Sequence, residues 1–304
     1  MALGNKNNHF PNKSDTANFF WMGNLSIYEI ANIESFIDNG FKVNIWTYDM
    51  NLDFQHLQNK LKIKDASIIL DKNLLYRFNQ GKQKSSMSSF SNIFRFELLK
   101  KYGGWWFDMD CICIKGVEEF KNLTLENDFI IGRERVNYTG SSVLFFSDED
   151  LLDRLIEATW EIINSNNYTF FWGEIGPDLI SEIVLKRNLM NETLDPSLFY
   201  RISADKFYLL FKRFPSTNSI VELNLQNSFI VHTWNEMFKR YFIKKTKLPP
   251  TNSYLYDHLK KSLKKNLNYS IYSRMFNLRF SKYFTIVVKV LFRLKIYLNN
   301  VSQK

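Results

Sequence analysis

Along the first 250 residues the apolar positions follow two rhythms. Short runs with a period of two, or with no polar break, read as strands at 18–22, 42–48 and 67–70. Between the first two runs Ser26 can cap a helix, with Glu29 three residues on as its capping-box partner and Gly40 at its end. Strand, helix, strand at this spacing predicts a βα unit on a parallel sheet, an α/β class in which ligands gather beyond the carboxyl ends of the strands. Trp21 and Tyr48 are expected near that crevice. The strongest pattern is 85–115. Phe90, Ile93, Phe94 and Leu98 keep helical spacing, while Ser88, Asn92 and Arg95 line a second face. Gly103 and Gly104 stop this helix, and 105–114 is an apolar run long enough for one buried strand. Further on, 129–132 and 142–146 read as strands joined by a polar loop at 133–141. An amphipathic helix is expected at 151–163, and Pro177 suits the first turn of another. The run 228–234 ends in a strand with His232 and Trp234 on one side.

Composition adds little until charge is located. The net charge is +9, yet the segment from Thr251 onward holds eleven Lys or Arg against Asp257 alone. That segment is +10 and the first 250 residues are −1, so the basic character gives no reason to expect a nucleic-acid partner. The division predicted is a catalytic domain at 1–250 and a basic amphipathic helical tail at 251–304. The polar N-terminus lacks the apolar core of a signal peptide, and no run reaches the ~20 apolar residues of a membrane span. Cys111 and Cys113, the only cysteines, read as small core residues. The expected location is therefore a reducing cytoplasm.

The chemistry lies in Asp108 and Asp110. On a straight strand they face one way, about 6–7 Å apart along the backbone. One would then bind a metal, and the other would reach it through water or contact the ligand. Two buried carboxylates need a cation, and Arg95 neutralising one of them inside the core explains Asp-x-Asp alone equally well. The wider pattern is Ser91-Asn92-Ile93-Phe94-Arg95, Leu99, Gly103-Gly104, Trp106, Asp108 and Asp110. It resembles the glycosyltransferase family defined by a sugar-binding region with a DxD motif. That family includes capsule and O-antigen transferases, the eukaryotic α-1,4-transferases and, more distantly, the clostridial glucosylating toxins. Asn92 stands where the family has aspartate, and Trp106 where it has tyrosine.

The resemblance implies a GT-A-like nucleotide-sugar-binding fold with helical insertions, and a retaining transfer from a donor, UDP-linked by expectation, to a glycan acceptor. It implies Mn²⁺ or Mg²⁺ held by Asp110, Asp108 and His232. Asp110, Arg95 and His232 become the catalytic candidates. Trp21 is expected to stack on the donor base, Asn92 and Arg95 to hold sugar hydroxyls, and Trp106 and Asp108 to lie beside the donor. Asn137 and Ser141 are expected to face the sugar, Trp234 to close over the diphosphate, and Glu174 to face the acceptor. Asn92 motivates an alternative, a catalytically impaired sugar-nucleotide or glycan-binding module. A haloacid-dehalogenase-type phosphatase also carries Asp-x-Asp, but Cys111-Ile112 and the acidic run at 147–150 fit it poorly. In the tail, 281–298 sets Lys282, Lys289 and Arg293 on one helical face. This suggests an anionic membrane surface and a lipid-linked acceptor, against the alternative of a helix packed on the body.

Overall fold

A computed structural model describes residues 13–80, 87–214, 219–265 and 273–274. They fall into two compact units, Met1–Arg201 with Asn227–His232, and Ile202–Gln226 with Thr233–Lys304.

The first unit is built on six strands in the order β3-β2-β1-β4-β7-β6. These are β1 (Thr16–Phe20), β2 (Lys42–Thr47), β3 (Lys62–Asp65), β4 (Trp105–Phe107), β6 (Phe129–Arg135) and β7 (Tyr138–Phe146). The first four run parallel, and β7 pairs antiparallel with both β4 and β6. Helix α1 (Ile27–Asp38) begins with the Ser26–Glu29 capping box. Alternation decides the two faces. Phe19 and Phe107 point to the side where Phe36, Phe41 and Phe120 cluster, with Phe36 and Phe107 centroids 4.5 Å apart. Phe20 and Trp106 point to the other side, against Phe94 of helix α2 (Met87–Tyr102). The period of two therefore directs position 108 toward α2.

Buried Asn18 ties three strands together. Its amide donates to the Gly103 and Trp105 carbonyls, and its oxygen accepts from Asn44 and Trp46. Gly104, at φ +84, lies where a Cβ would stand 2.9 Å from the Thr16 carbonyl. A glycine is required there.

Four expectations change. The third strand is Lys62–Asp65, not 67–70; the Asp65 carboxylate accepts the Ser67 amide at 2.8 Å and turns the chain into a 3₁₀ segment. The run 105–114 is not one strand. It breaks after Phe107, and β5 (Cys111–Cys113) leaves the main sheet to pair antiparallel with β8 (Ile230–His232). The polar stretch at 133–141 is mostly hairpin, with a tip at Val136 and Asn137. Finally, the strand at 228–234 ends at His232, because Trp234 takes a left-handed backbone, φ 59°, ψ 61°.

Helix α3 (Val117–Glu126) follows β5, α4 (Asp150–Ser165) follows β7, and α5 (Pro177–Lys186) starts with its proline at the first position. In the second unit, Phe207 stacks on Tyr241 at 5.1 Å, and helix α6 (Tyr254–Lys265) carries exposed Lys260, Lys261, Lys264 and Lys265. Among the described residues no helix is long and apolar enough to cross a membrane. The helix expected at 281–298 lies outside the described residues.

Candidate active site

The break in the strand creates the site. The Asp108 amide donates to the Ser142 carbonyl of β7 at 2.9 Å, and the Cys111 amide turns back onto the Asp108 carbonyl at 3.0 Å. Asn32 of α1 holds the Met109 carbonyl at 3.0 Å. Asp108 and Asp110 thus sit on a turn rather than a straight strand, and each meets a different partner.

Asp108 faces α2. Its Oδ1 accepts the Trp106 indole N–H at 2.8 Å and lies 3.4 Å from Arg95 Nη2. Arg95 is itself fixed by the Ser91 carbonyl, the Ser91 hydroxyl and the Ser141 carbonyl, with its guanidinium 4.9 Å over the Trp106 ring. Trp106 is only 1% exposed. It positions Asp108 and Arg95 instead of offering a face to a ligand, which revises the expectation for it. The Asp108 side chain remains 29% exposed, so it still presents oxygen to the outside.

Asp110 faces His232. The β5–β8 register sets His232 opposite Cys111, and His232 Nε2 lies 3.2 Å from Asp110 Oδ1. Asp110, Cys111 and His232 each bring a donor atom within 4.8 Å of the other two. Cys111 was expected only as core, and Asp108 is not part of this trio. A carboxylate, an imidazole and a thiol so close together form a donor set that fits a divalent cation.

Electrostatics points the same way. Burial raises the Asp108 carboxyl, with Arg95 opposing and Asp110 adding to the rise. Burial lowers the His232 imidazole, but Asp110, Asp108 and Glu134 outweigh it and raise it on balance. Glu134, at the end of β6, is also raised by burial and feels His232, Arg135, Asp108 and Asp178. Three carboxylates around one imidazole and one guanidinium favour an added cation.

The remaining candidates each have their own setting. Trp21 follows the carboxyl end of β1, half-buried, with its indole on the Gly23 carbonyl. Asn92 is 6% exposed and packs against Gly176, where a Cβ would come within 2.4 Å of its amide. Asn137 is at the exposed hairpin tip with φ 56°, a conformation asparagine tolerates, so the turn accounts for it. Ser141 contributes its carbonyl to Arg95. Glu174 spends both oxygens on its own loop, on the Phe171 amide and Asn166. Trp234 belongs to the second unit, its indole on the Ile202 carbonyl at 2.7 Å.

Two family models match the chain, each over a different part. Residues 10–130 match the glycosyltransferase sugar-binding region containing a DXD motif, and residues 153–262 match the alpha 1,4-glycosyltransferase conserved region. Both matched regions are those of glycosyltransferases, and the chain is a glycosyltransferase. A comparison with curated protein sequences found no significant match. Among solved structures, the apo bifunctional glycosyltransferase WbbM is similar at TM-score 0.51 and 12% identity, over 89% of this chain and 52% of that one. The chain thus spans about half of that protein. Mouse xyloside xylosyltransferase 1 is similar at TM-score 0.44 and 11% identity, over 71% and 96%. The galactosyltransferase LgtC, solved with donor and acceptor sugar analogues, gives 0.39 and 10%, over 72% and 87%. The fold is that of the GT-A glycosyltransferases, and the phosphatase alternative is set aside.

Sequence reasoning missed three residues around the transferase's centre. Tyr200 bonds through its hydroxyl to the Ser142 amide and hydroxyl, at 3.2 and 3.1 Å, and Gly132 and Gly140 leave the room its ring fills. Glu134 was hidden in a polar stretch read as loop. Cys111 gave no local sign, because its partner His232 is far along the chain.

Proposed function

We propose that this glycosyltransferase moves a sugar from a UDP-linked donor to a glycan acceptor with retention of configuration, using a divalent cation. The observation that carries the reading is the Asp110–His232 pair with Cys111 beside it, next to the Arg95-held Asp108. Asp110 and His232 would hold Mn²⁺ or Mg²⁺, while burial keeps the neighbouring Cys111 thiol protonated. When bound, the ion supplies neutralisation of the charge that develops on the leaving diphosphate.

The chain's own residues do the rest. Asp108 offers its outward oxygen to donor hydroxyls, and Arg95 and Trp106 keep that carboxylate in one orientation. Trp21 gives the base a flat face. Asn92 sits on the helix turn before Arg95, from which its amide would reach the sugar. The acceptor hydroxyl then attacks from the side the diphosphate leaves. The product belongs to surface polysaccharide of the capsule or O-antigen type, made in the cytoplasm. The +10 segment from Thr251 onward holds the enzyme to the anionic inner face of the membrane, where a lipid-linked acceptor is presented.

Calorimetric titration of UDP with and without Mn²⁺, followed by turnover on a panel of UDP- and GDP-sugars, tests this. Metal-dependent UDP binding with UDP-sugar turnover is expected. Absence of nucleotide binding in Mn²⁺ refutes it. Asn92 supports a second reading, an impaired module that binds donor without turning it over, and tight binding with no turnover in the same experiment selects it.

A further inference from the structure

Between α4 and α5 the chain puts two large aromatic side chains into solvent in succession, Phe171 at 80% and Trp172 at 52% exposure. Leu125, Val136 and Phe242 stand exposed singly, and the other adjacent exposed apolar pair among the described residues, Ile220 and Val221, is aliphatic. Single ones need no explanation, whereas an adjacent aromatic pair does.

The loop beneath the pair is built to hold still. Glu174 accepts the Phe171 amide at 2.7 Å and the Asn166 side chain at 2.9 Å. Gly173, at φ +91, packs against the Asp178 carboxylate so closely that a Cβ would lie 2.7 Å from it. The Gly176 and Asp178 amides both return to the Gly173 carbonyl, at 2.8 and 3.1 Å. The loop is also continuous with the active centre at two points. Gly176 rests on Asn92, and the Tyr138 hydroxyl of β7 donates to Asp178 at 2.8 Å.

From this geometry we infer that Phe171 and Trp172 form an acceptor subsite, a stacking platform for the C–H face of a sugar ring in the glycan being extended. The inference rests on the transferase reading given above. An aromatic face flanked by hydroxyl and carboxylate groups matches a carbohydrate, which is apolar across its ring and polar at its rim. Tyr138 and exposed Asp178 provide that polar flank. The same flank argues against a membrane as the occupant. The charged residues nearest in the loop, Glu174 and Asp178, are acidic and oppose an anionic lipid surface, whereas a neutral polyhydroxyl ring meets no such penalty.

The test uses the labelled full-length protein on an oligosaccharide array, comparing the unsubstituted chain with W172A, F171A/W172A, W172F and the surface control L125A. These side chains are exposed, so the variants should melt close to the parent. The parent is expected to bind a subset of glycans. W172A should weaken that binding about tenfold, the change produced by 1.4 kcal/mol of lost contact. The double variant should lose it, W172F should restore most of it, and L125A should match the parent. A parent that binds no glycan, or a W172A that binds like the parent, overturns the platform. So does a W172A whose only defect is loss of flotation with anionic liposomes, or loss of a concentration-dependent dimer. UDP titration of the same samples is read separately: its failure counts against the donor reading, while the array alone decides the platform.

Discussion

Removing the Arg95 guanidinium is the most informative single perturbation of the centre. The residue is 3% exposed, and its cation is the partner of Asp108 at 3.4 Å. R95M keeps most of the apolar length but leaves the Asp108 carboxylate with the Trp106 N–H and strands the Ser141 carbonyl. Breaking a buried ion pair from one side costs ~3–5 kcal/mol. The 29% exposure of the Asp108 side chain lets water recover part of that, which brings the ion-pair share to about 2 kcal/mol. The unmet Ser141 acceptor adds about 1 kcal/mol. The expected total is about 3 kcal/mol, or roughly 6–12 °C in melting temperature for a unit of about this size. Thermal unfolding followed by tryptophan fluorescence measures it. R95M/D108N should recover about half of the loss, because the stranded charge is gone. A drop below about 2 °C in R95M, or a double variant that falls by the plain sum of the singles, would refute the coupling on which this account of Asp108 depends.

Three further outcomes are expected. W21A should weaken UDP binding by about 1–3 kcal/mol, and by the same amount for every UDP-sugar; a loss of thermal stability with UDP affinity intact would return Trp21 to the core. N92D restores the carboxylate the family carries, and hydrolysis of UDP-glucose or UDP-galactose should rise; a changed order of donors without a rise would instead make Asn92 a selector of donor sugar. G140A sets a Cβ 2.2 Å from the Tyr200 hydroxyl and must displace the ring that holds Ser142. That overpacking should cost ~1–3 kcal/mol in a urea melt, and an unchanged midpoint would contradict the packing described.

What could be read from the sequence was what local chemistry demands. Gly103 and Gly104 end α2 with φ of +63° and +84°, the conformations their residue type foretells. The Ser26–Glu29 box and Pro177 at a helix start are equally local signals. Asp-x-Asp alone allows both an arginine-neutralised core pair and a metal site, and the two aspartates have different partners: Arg95 lies at Asp108, while Asp110 meets His232. What could not be read depends on distant partners. The turn at 108–110 is set by Ser142 and Asn32, from elements 30 to 80 residues away. Cys111 joins Asp110 only because β8 registers His232 against it. The edge strand Lys62–Asp65 alternates weakly and is half lysine, so the more apolar 67–70 outscored it although Asp65 turns that segment aside.

The central claim is that Asp110 and His232 hold a catalytic cation for a nucleotide-sugar donor. UDP release from a UDP-sugar, measured after chelation and again after stepwise return of Mn²⁺, tests it on the parent chain and D110A together. The account predicts release that vanishes on chelation, returns with Mn²⁺ in the parent, and stays absent in D110A. Release from D110A at the parent's rate in the metal-repleted assay would contradict it.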